Sequence, residues 1–556
     1  MSTPKSLDAA DCAVFGVLTA LGYLVGLYFS IAHRRRQVVG ADGSGGAATE
    51  AFLGGRSLPE AALTVSVLAS VVNGVTVVGF LGHFYAHGFH VMWVLSGIPL
   101  AMIITSTALV PLLYDMRAAS VFQFLRLRFD NKVGITACVV YFVLSQTLGA
   151  VGIYSAAIGI STMFSFPLLY SNIAIGLAGT VYTALGGLRS VVWADCVQAL
   201  VMLASPAIIV GKVIYDSGSA SPPLRQMSDF NVTEYIFRTS VDLTNDENVW
   251  SALAGALPYC LARTGFDQMA VQRFIAARTL REAKRIAITG ALFVLSFFSL
   301  AAFGALAIIY WYRDCDPVLA GVIRSYDEIV PYYMRERLTD VAMLRGLFLA
   351  GLLGASTSTV SSIVNSHAAT FYIDIVSPYV NMSDRTAVNV MRLLALASGT
   401  IMTLFAIAVP FFGTASRLFV SLYSSASGPF SGLILLAISS PWVNAKGAAW
   451  ASLLVCALQL WHAVGRMLSA IPPPPVIPGT LERCPSWSND TGVLAGSSIL
   501  ADKQLDYGLY VFPLYRLSFF WITFVGALVT VLLGTALSLV TVANTAQPRG
   551  SVKQYT

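Results

Sequence analysis

Long apolar runs, separated by short polar segments, recur along nearly the whole chain of 556 residues. A bilayer core requires about 20 residues of helix to cross it, and about thirteen such runs fit this sequence. The alternating polar and apolar positions typical of a transmembrane strand are absent, so helices must satisfy the backbone hydrogen bonds in lipid. The pattern therefore predicts an all-α polytopic membrane protein.

Composition supports this class and excludes several functions. Charged residues make up 11% of the chain and hydrophobic residues 56%, whereas soluble proteins carry about 25% charged residues. The spans also lack the convergent nucleophile, acid and base groups that an intramembrane enzyme would need. We therefore expect a multi-pass protein of the plasma membrane whose partner is the lipid bilayer, with no enzyme activity and no nucleic-acid partner.

The distribution of charge predicts the topology. Basic residues cluster at Arg34 to Arg36, between Arg117 and Lys132, and between Arg273 and Arg285. The segment from Asp216 to Glu247 instead carries six acidic residues against two arginines. Because Lys and Arg are retained on the cytoplasmic side of short loops, the basic loops are placed inside. This predicts an external N-terminus and a cytoplasmic C-terminus.

Two kinds of extracellular feature fit this topology. Asn231 and Asn489 each begin an Asn-X-Thr glycosylation signal in a predicted external loop. Cys315 and Cys484 also fall in external loops. A disulfide between them is a hypothesis, since the outer face is oxidising; two free thiols are the alternative.

The ten predicted spans from about residue 60 to 439 divide into two sets of five that start on opposite sides, as an inverted repeat requires. The predicted segments are 1–50 (external N-terminus, first span and basic cytoplasmic loop), 51–214 (first five-helix repeat), 215–248 (external loop), 249–440 (second five-helix repeat) and 441–556 (two C-terminal helices with an external loop and a short cytoplasmic tail).

The first helix of each half contains helix-breaking residues. In transporters built from inverted repeats these helices are interrupted near the bilayer midplane, which frees backbone carbonyls to bind a cation. The candidates are Ala62 to Gly82, which includes Asn73 and Gly74, and Ala252 to Asp267, which includes Pro258 and Gly265. The alternative interpretation is that Gly and Pro are simply frequent in membrane helices.

A third span, Gly346 to Val376, is unusually rich in hydroxyl groups. Hydroxyl oxygens are neutral, hard ligands that suit a dehydrated sodium ion, particularly opposite a broken helix with free carbonyls. The alternative is close helix packing, in which Ser and Thr bond to the preceding turn. The hydroxyls are those of Ser356, Thr357, Ser358, Thr359, Ser361, Ser362 and Ser366.

Four motifs in a fixed order resemble those of the sodium:solute symporter family. Further segments resemble its branch of monocarboxylate, multivitamin and iodide transporters. The family motifs are Phe52–Ser57, Gly186–Gln198, Asp267–Arg273 and the hydroxyl-rich helix with Asn365 and Asp374; the branch segments are Asp314–Pro317, Ser427–Gly432 and Pro441–Ala448.

This resemblance implies a five-plus-five inverted-repeat (LeuT-like) core within about thirteen helices, and transport coupled to Na+. Carried over by motif, the principal sodium site uses the backbone carbonyls of Ala69, Val72 and Ala355 with the hydroxyls of Ser358 and Thr359. These two hydroxyls belong to the helix that composition alone had indicated.

Two polar residues of the Gly186–Gln198 motif carry a further implication. Asp195 and Gln198 occupy family positions linked to cation coupling at the inner side of the site. A charged side chain in a membrane helix is costly and therefore usually functional; a salt bridge from Asp195 to Arg189 or another loop arginine is the alternative. The substrate-binding residues implied are Thr76, Thr264 and Gly265.

Some positions depart from the family branch. Gln123 and Arg126 stand where acidic residues are usual, and His83 and Ala86 stand where Glu and Arg are usual. We therefore expect a changed inner ion-pair network and a changed outer vestibule.

The function predicted is a sodium-coupled secondary active symporter that imports a small anionic organic solute, monocarboxylate or vitamin-like, by alternating access. The alternatives are a sodium-coupled transporter of an inorganic anion such as iodide, and a membrane sensor that binds solute without transporting it.

Overall fold

The regular structure is helical throughout the residues that the computed structural model describes, and these contain no β-strand. The fold is therefore all-α, as the sequence predicts. The described residues are 8–39, 54–116, 118–219, 224–226, 230–412, 415–469, 471, 474–484 and 511–543.

Sixteen helical segments are labelled here in chain order. The first eight are α1 (Ala9–Val39), α2 (Glu60–Val71), α3 (Val75–His87), α4 (His90–Asp115), α5 (Val121–Arg128), α6 (Asn131–Phe164), α7 (Leu168–Ser217) and α8 (Val249–Cys260). The others are α9 (Gln268–Ile275), α10 (Leu280–Tyr312), α11 (Ile329–Arg337), α12 (Leu344–Val376), α13 (Asp384–Ala408), α14 (Ala415–Ser439), α15 (Ala445–Leu468) and α16 (Phe519–Ala543).

Several helices start where a polar side chain caps the first turn. Ser120, Asp130, Asn248 and Thr279 each accept a hydrogen bond from a backbone N–H two or three residues later. The first N–H groups of a helix have no partner within the helix, so such a cap stabilises the start by about 1 kcal/mol. These caps set the starts of α5, α6, α8 and α10.

Ten helices among the described residues are long and apolar enough to cross a membrane, or eleven if α2 and α3 count as one bent span. About thirteen were predicted. The predicted spans 166–184 and 191–214 lie in one helical run, α7, in which Gly187 alone departs from helical torsion angles, with φ 65° and ψ −167°. The predicted span 249–267 contains α8, which has only 12 residues before the α-helix gives way to a wider helical turn. The number of crossings, the sides of the termini and the segment boundaries stay predictions.

The hydroxyl-rich helix α12 lies at the centre of the bundle. Of its most apolar 18-residue window, 94% is buried, whereas the corresponding figure for α1 is 11%. Helices α1, α2, α6, α7 and α13 pack around it. The hydroxyl groups of α12 therefore face protein rather than lipid, and peripheral helices present apolar side chains such as Leu24 at the surface.

The first predicted break is present between α2 and α3, whose axes differ by 62°. Val72 follows α2 with extended torsion angles, φ −82° and ψ 131°. At Gly74 a Cβ atom would lie 2.7 Å from the carbonyl oxygen of Gly152 on α6. Glycine at this position therefore lets the broken segment approach α6 closely.

The second break follows α8. A wide helical turn, Leu261–Gly265, continues α8, and Asp267 then adopts extended torsion angles before α9 begins. The Asp267 carboxylate accepts a hydrogen bond from the backbone N–H of Met269 and so caps α9. Thus the first helix of each predicted repeat is interrupted.

Arg273 requires a correction, because the sequence analysis assigned it to a basic cytoplasmic loop. It lies on α9 and is completely buried. The chain turns away from the helix only after Ile275. Burial of this arginine is possible because an acidic partner from α7 meets it inside the bundle.

The features predicted for the outer side have different outcomes. Cys315 and Cys484 are joined by a disulfide, with their Cα atoms 4.9 Å apart. Asn231 is exposed and directly precedes a short helix, Val232–Ile236. Asn489 lies outside the described residues, and glycosylation of both asparagines stays a prediction.

Candidate functional site

Five oxygen atoms from the first break and α12 converge in a buried site. The Ser358 hydroxyl lies 2.8 Å from the carbonyl oxygen of Ala69 and 3.1 Å from that of Ala355. The Thr359 hydroxyl lies 3.0 Å from the carbonyl oxygen of Val72 and 3.2 Å from that of Ala355. All five residues are fully inaccessible to solvent. The structure thus brings together the five residues that the sequence assigned to one site.

The chemistry of this set fits a small monovalent cation. All five oxygens are neutral and hard, and two of the carbonyls are free of a helical partner because α2 ends there. Within the described part of the chain, no group of three or more His, Cys, Asp or Glu residues could hold a metal ion. A cation held by these oxygens would link α2 to α12.

Three further hydroxyls of α12 have other contacts. Ser362 lies 2.9 Å from the hydroxyl of Ser70 on α2. Ser361 and Ser366 donate to carbonyls of their own helix, three residues earlier. Packing and back-bonding therefore account for part of this hydroxyl-rich segment, and the Ser358 and Thr359 pair accounts for the part that faces the break.

Asp195 belongs to a buried polar network on a neighbouring side of α2. It accepts hydrogen bonds from the Ser66 hydroxyl at 2.5 Å and from the Arg273 guanidinium at 3.0 Å. Arg273 also donates to Ser66 at 2.7 Å and to Ser362 at 2.6 Å. The salt bridge weighed from the sequence therefore exists, with Arg273 as the partner, while Arg189 donates to Gly54 and Ser57. The network joins α2, α7, α9 and α12.

Gln198 lies one turn further along α7. Its amide nitrogen donates to the hydroxyl of Thr357 at 3.1 Å. It therefore contacts the helix that carries Ser358 and Thr359 without touching the five convergent oxygens.

A partly open cavity lies between the two broken helices, with about 450 Å³ of empty space that includes space open to solvent. Thr76 and Thr264, both predicted to bind solute, line it. Gly265 is absent from the described lining, and a Cβ atom there would lie 2.3 Å from the Thr105 hydroxyl. The glycine therefore gives room for the wide turn after α8 to pack against α4, and it does not form a wall of the cavity.

Arg263, which is not among the residues predicted from the sequence, also lines this cavity. Its guanidinium donates to Asp267 at 3.1 Å and to the carbonyl oxygens of Ser70 at 3.2 Å and Val71 at 2.6 Å. The signal was available, since Arg263 is a charged residue inside the predicted span 249–267, and such a residue indicates function by default.

The positions that depart from the family branch lie on α5 and towards the end of α3. Arg126 donates to the backbone oxygen of Asp374 at 3.2 Å, and Ser120 donates to its carboxylate at 2.6 Å. Gln123 accepts from the backbone N–H of Ala119.

On α3, His83 lies 3.0 Å from Glu247, which is almost completely buried just before α8. Burial raises the pKa of Glu247, but the charge and the hydrogen bond of His83 outweigh burial and place the pKa below the ordinary value of 4.5. The backbone oxygen of Ala86 accepts a hydrogen bond from Ile477.

Comparison with known proteins gives a consistent result. The sequence pattern of the Sodium:solute symporter family matches residues 51–454. The chain is 27% identical to human sodium-coupled monocarboxylate transporter 2, over 97% of this chain and 85% of the relative. It is 27% identical to a putative sodium-dependent multivitamin transporter of Drosophila melanogaster, over 96% and 87%. It is 26% identical to the human sodium/iodide cotransporter, over 96% and 84%.

Among solved structures, the chain superposes on a Na+-coupled sialic acid symporter in a substrate-bound, outward-open state. The TM-score is 0.70 at 22% sequence identity, and the match covers 96% of this chain and 98% of the other. This similarity confirms the predicted LeuT-like helical fold.

Proposed function

Because the chain belongs to the sodium:solute symporter family, we propose that it is a sodium-coupled secondary active symporter that imports a small organic anion across the plasma membrane. The observation that carries this proposal is the convergence of Ser358 and Thr359 with the carbonyls of Ala69, Val72 and Ala355. The relatives named above are transporters of monocarboxylates, vitamins or iodide by their names. The chain carries out transport and no covalent chemistry.

Sodium acts through the first break. Binding from outside replaces the hydroxyl-to-carbonyl hydrogen bonds by ion–oxygen contacts and holds α2 against α12. The cavity bounded by Thr76 and Thr264 lies between the same broken helices, so solute binds to an already ordered pocket. When the inner side opens, the five oxygens separate and the ion leaves into a sodium-poor cytoplasm. This is alternating access around a fixed site.

The polar network of Asp195 lies beside this site and supports the same cycle. Its bonds to Ser66 on α2 and to Arg273 on α9 connect segments from both predicted repeats. Movement of one repeat against the other must rearrange these bonds. Asp195 therefore couples the sodium-bound state to the position of α9, and Gln198 couples α7 to α12 through Thr357.

The driving force limits the stoichiometry. A tenfold sodium gradient supplies about 1.4 kcal/mol, and each positive charge that crosses 100 mV adds about 2.3 kcal/mol. One sodium ion with one monoanion moves no net charge, so the voltage contributes nothing. Strong accumulation of a monoanion therefore requires more than one sodium ion per cycle.

Accumulation by the full-length chain in proteoliposomes tests the proposal. We expect a radiolabelled monocarboxylate or vitamin to accumulate only under an inward sodium gradient, with no accumulation when potassium replaces sodium. The alternative is transport of an inorganic anion, which the similarity to an iodide cotransporter supports. It predicts accumulation of iodide instead. Binding without accumulation would identify a sensor, and accumulation without sodium would refute the proposal.

A further inference from the structure

The solute cavity contains a positive charge whose counter-ion is turned away from it. Arg263 is the one charged side chain among the described residues that line the cavity. Its partner Asp267 does not line the cavity. The Asp267 carboxylate also accepts from the Tyr141 hydroxyl at 2.8 Å and from the Met269 N–H at 2.9 Å, which hold it at the start of α9. Of this ion pair, Arg263 is therefore the member that is placed beside a solute in the cavity.

The guanidinium keeps hydrogen-bonding capacity for a ligand. An arginine has five N–H donors. Three of these are used by Asp267 and by the carbonyl oxygens of Ser70 and Val71. The described residues supply no acceptor for the other two. A carboxylate is the group that arginine recognises best, since its two oxygens match the planar fork of donors.

The other walls of the cavity are mostly apolar. Phe80 and Phe298 pack edge to face with their ring centroids 6.0 Å apart. The same pair lines an adjoining apolar cavity that extends to Met92 and Phe520. Such walls suit a hydrocarbon portion attached to the anionic group. The polar side chains on the cavity wall, Asn73, Thr76, Tyr259 and Thr264, stand beside Arg263 and suit the polar end of such a solute.

Arg263 also lies at the centre of the first break. The carbonyls of Ser70 and Val71, which it binds, stand between those of Ala69 and Val72, which face Ser358 and Thr359. Four consecutive carbonyls are thus shared between the guanidinium on one side and the candidate sodium site on the other. A ligand that binds the guanidinium and changes its position must also shift the carbonyls that hold the ion.

From these contacts we propose that Arg263 binds the carboxylate of the solute, with the hydrocarbon part along Phe80 and Phe298, and that it transmits solute binding to the sodium site through the Ser70 and Val71 carbonyls. The inference rests on the proposed function and adds the residue that recognises the carboxylate and the walls that hold the hydrocarbon part. Asp267 competes with the solute for the guanidinium and keeps the charge compensated when the cavity is empty.

Ligand binding to the purified full-length protein tests this without requiring transport. The probes are butyrate, its neutral isostere butyramide, and iodide, each titrated in sodium buffer while the melting temperature is followed. We expect butyrate to bind about ten- to a hundredfold more tightly than butyramide, the difference made by a hydrogen bond to a charged group. Equal binding of the two, or no binding of butyrate, would overturn the proposal.

Iodide tests whether the solute needs a hydrocarbon portion. Because it is an anion without a hydrocarbon portion, we expect it to bind more weakly than butyrate. Iodide binding as tight as that of butyrate would overturn the assignment of an amphipathic solute.

Variants separate a solute-binding role from a structural one. In Arg263→Gln with Asp267→Asn both partners are neutral, so no unpaired charge is buried, and butyrate should lose its advantage over butyramide. Asp267→Asn alone removes the competing carboxylate, so butyrate should bind at least as tightly as in the wild type. A merely structural ion pair predicts weaker binding in both variants, with the preference for butyrate retained. Arg285→Gln, which removes an exposed arginine on α10, is the matched control and should bind like the wild type.

The sodium requirement distinguishes failure of this inference from failure of the proposed function. If proteoliposomes accumulate solute with sodium but the double variant still prefers butyrate, the inference is wrong and the proposed function stands. If butyrate binds in an Arg263-dependent way but never accumulates, the proposed function is wrong and the binding assignment stands.

Discussion

Replacing Asp195 by asparagine removes the counter-ion of a guanidinium that has no access to water. Both Asp195 and Arg273 are completely buried, and their side chains are 3.0 Å apart. Asparagine keeps an oxygen that can accept from Ser66 and from Arg273, so shape and hydrogen bonding change little. The perturbation is therefore the loss of one negative charge inside the bundle.

The expected cost follows from that burial. Breaking a buried pair by removing one charge typically destabilises a protein by about 3–5 kcal/mol, because the remaining ion is left uncompensated. The bonds from Arg273 to Ser66, Ser362 and the carbonyl of Met269 remain and moderate the loss. We therefore expect about 3 kcal/mol for Asp195→Asn.

A double-mutant cycle on purified protein measures this. Unfolding free energies of Asp195→Asn, Arg273→Gln and the combined variant give the coupling between the two side chains. We expect the combined variant to be more stable than the sum of the single losses predicts, since no charge is left unpaired. Single losses that add to within about 0.5 kcal/mol would refute the reasoning. Arg285→Gln is the control, because its exposed pair with Glu60 is worth about 0–1 kcal/mol.

Three further predictions concern the outer side. Serine in place of both Cys315 and Cys484 should destabilise the protein by about 2–5 kcal/mol, because the bridge closes a long loop; unchanged unfolding after this change would contradict the bridge. In a glycosylating host, Asn231→Gln should increase mobility on a gel, and an unchanged band would contradict its external placement. Because the pKa of Glu247 is lowered, its carboxylate stabilises the fold fully above pH 4.5, and this stability is lost as the pH falls through the folded pKa. The melting temperature of the wild type should therefore approach that of Glu247→Gln as the pH falls into the acid range, and a constant difference down to pH 3 would contradict the pairing with His83.

Sequence reasoning was most successful where a local pattern determines the structure. Asn73 and Gly74 interrupt a span, and the hydroxyl-rich stretch around Ser358 has a composition that few apolar helices share. The break and the hydroxyls facing it follow from these local features together with the family motifs. The fold class follows in the same way from the spacing of apolar runs.

It failed where the outcome depends on a partner far along the chain. Arg273 resembles a loop arginine until Asp195, 78 residues earlier, is placed beside it. The solute cavity needs the approach of two broken helices, so Gly265 was assigned to it although the residue faces Thr105. Arg263 is a charge inside a predicted span and is therefore informative by itself, but its partners Ser70 and Val71 lie far along the chain.

The sodium dependence of uptake by Ser358→Ala with Thr359→Ala tests the central claim most directly. Two of five oxygens are lost; if each contributes as much as a hydrogen bond to a charged group, about 1.5–3 kcal/mol, the sodium concentration for half-maximal uptake should rise at least about a hundredfold. The control, Ser356→Ala with Ser361→Ala, removes two hydroxyls of the same helix that do not face the break and should behave like the wild type. Wild-type sodium dependence in Ser358→Ala with Thr359→Ala, at equal surface expression, would contradict the account.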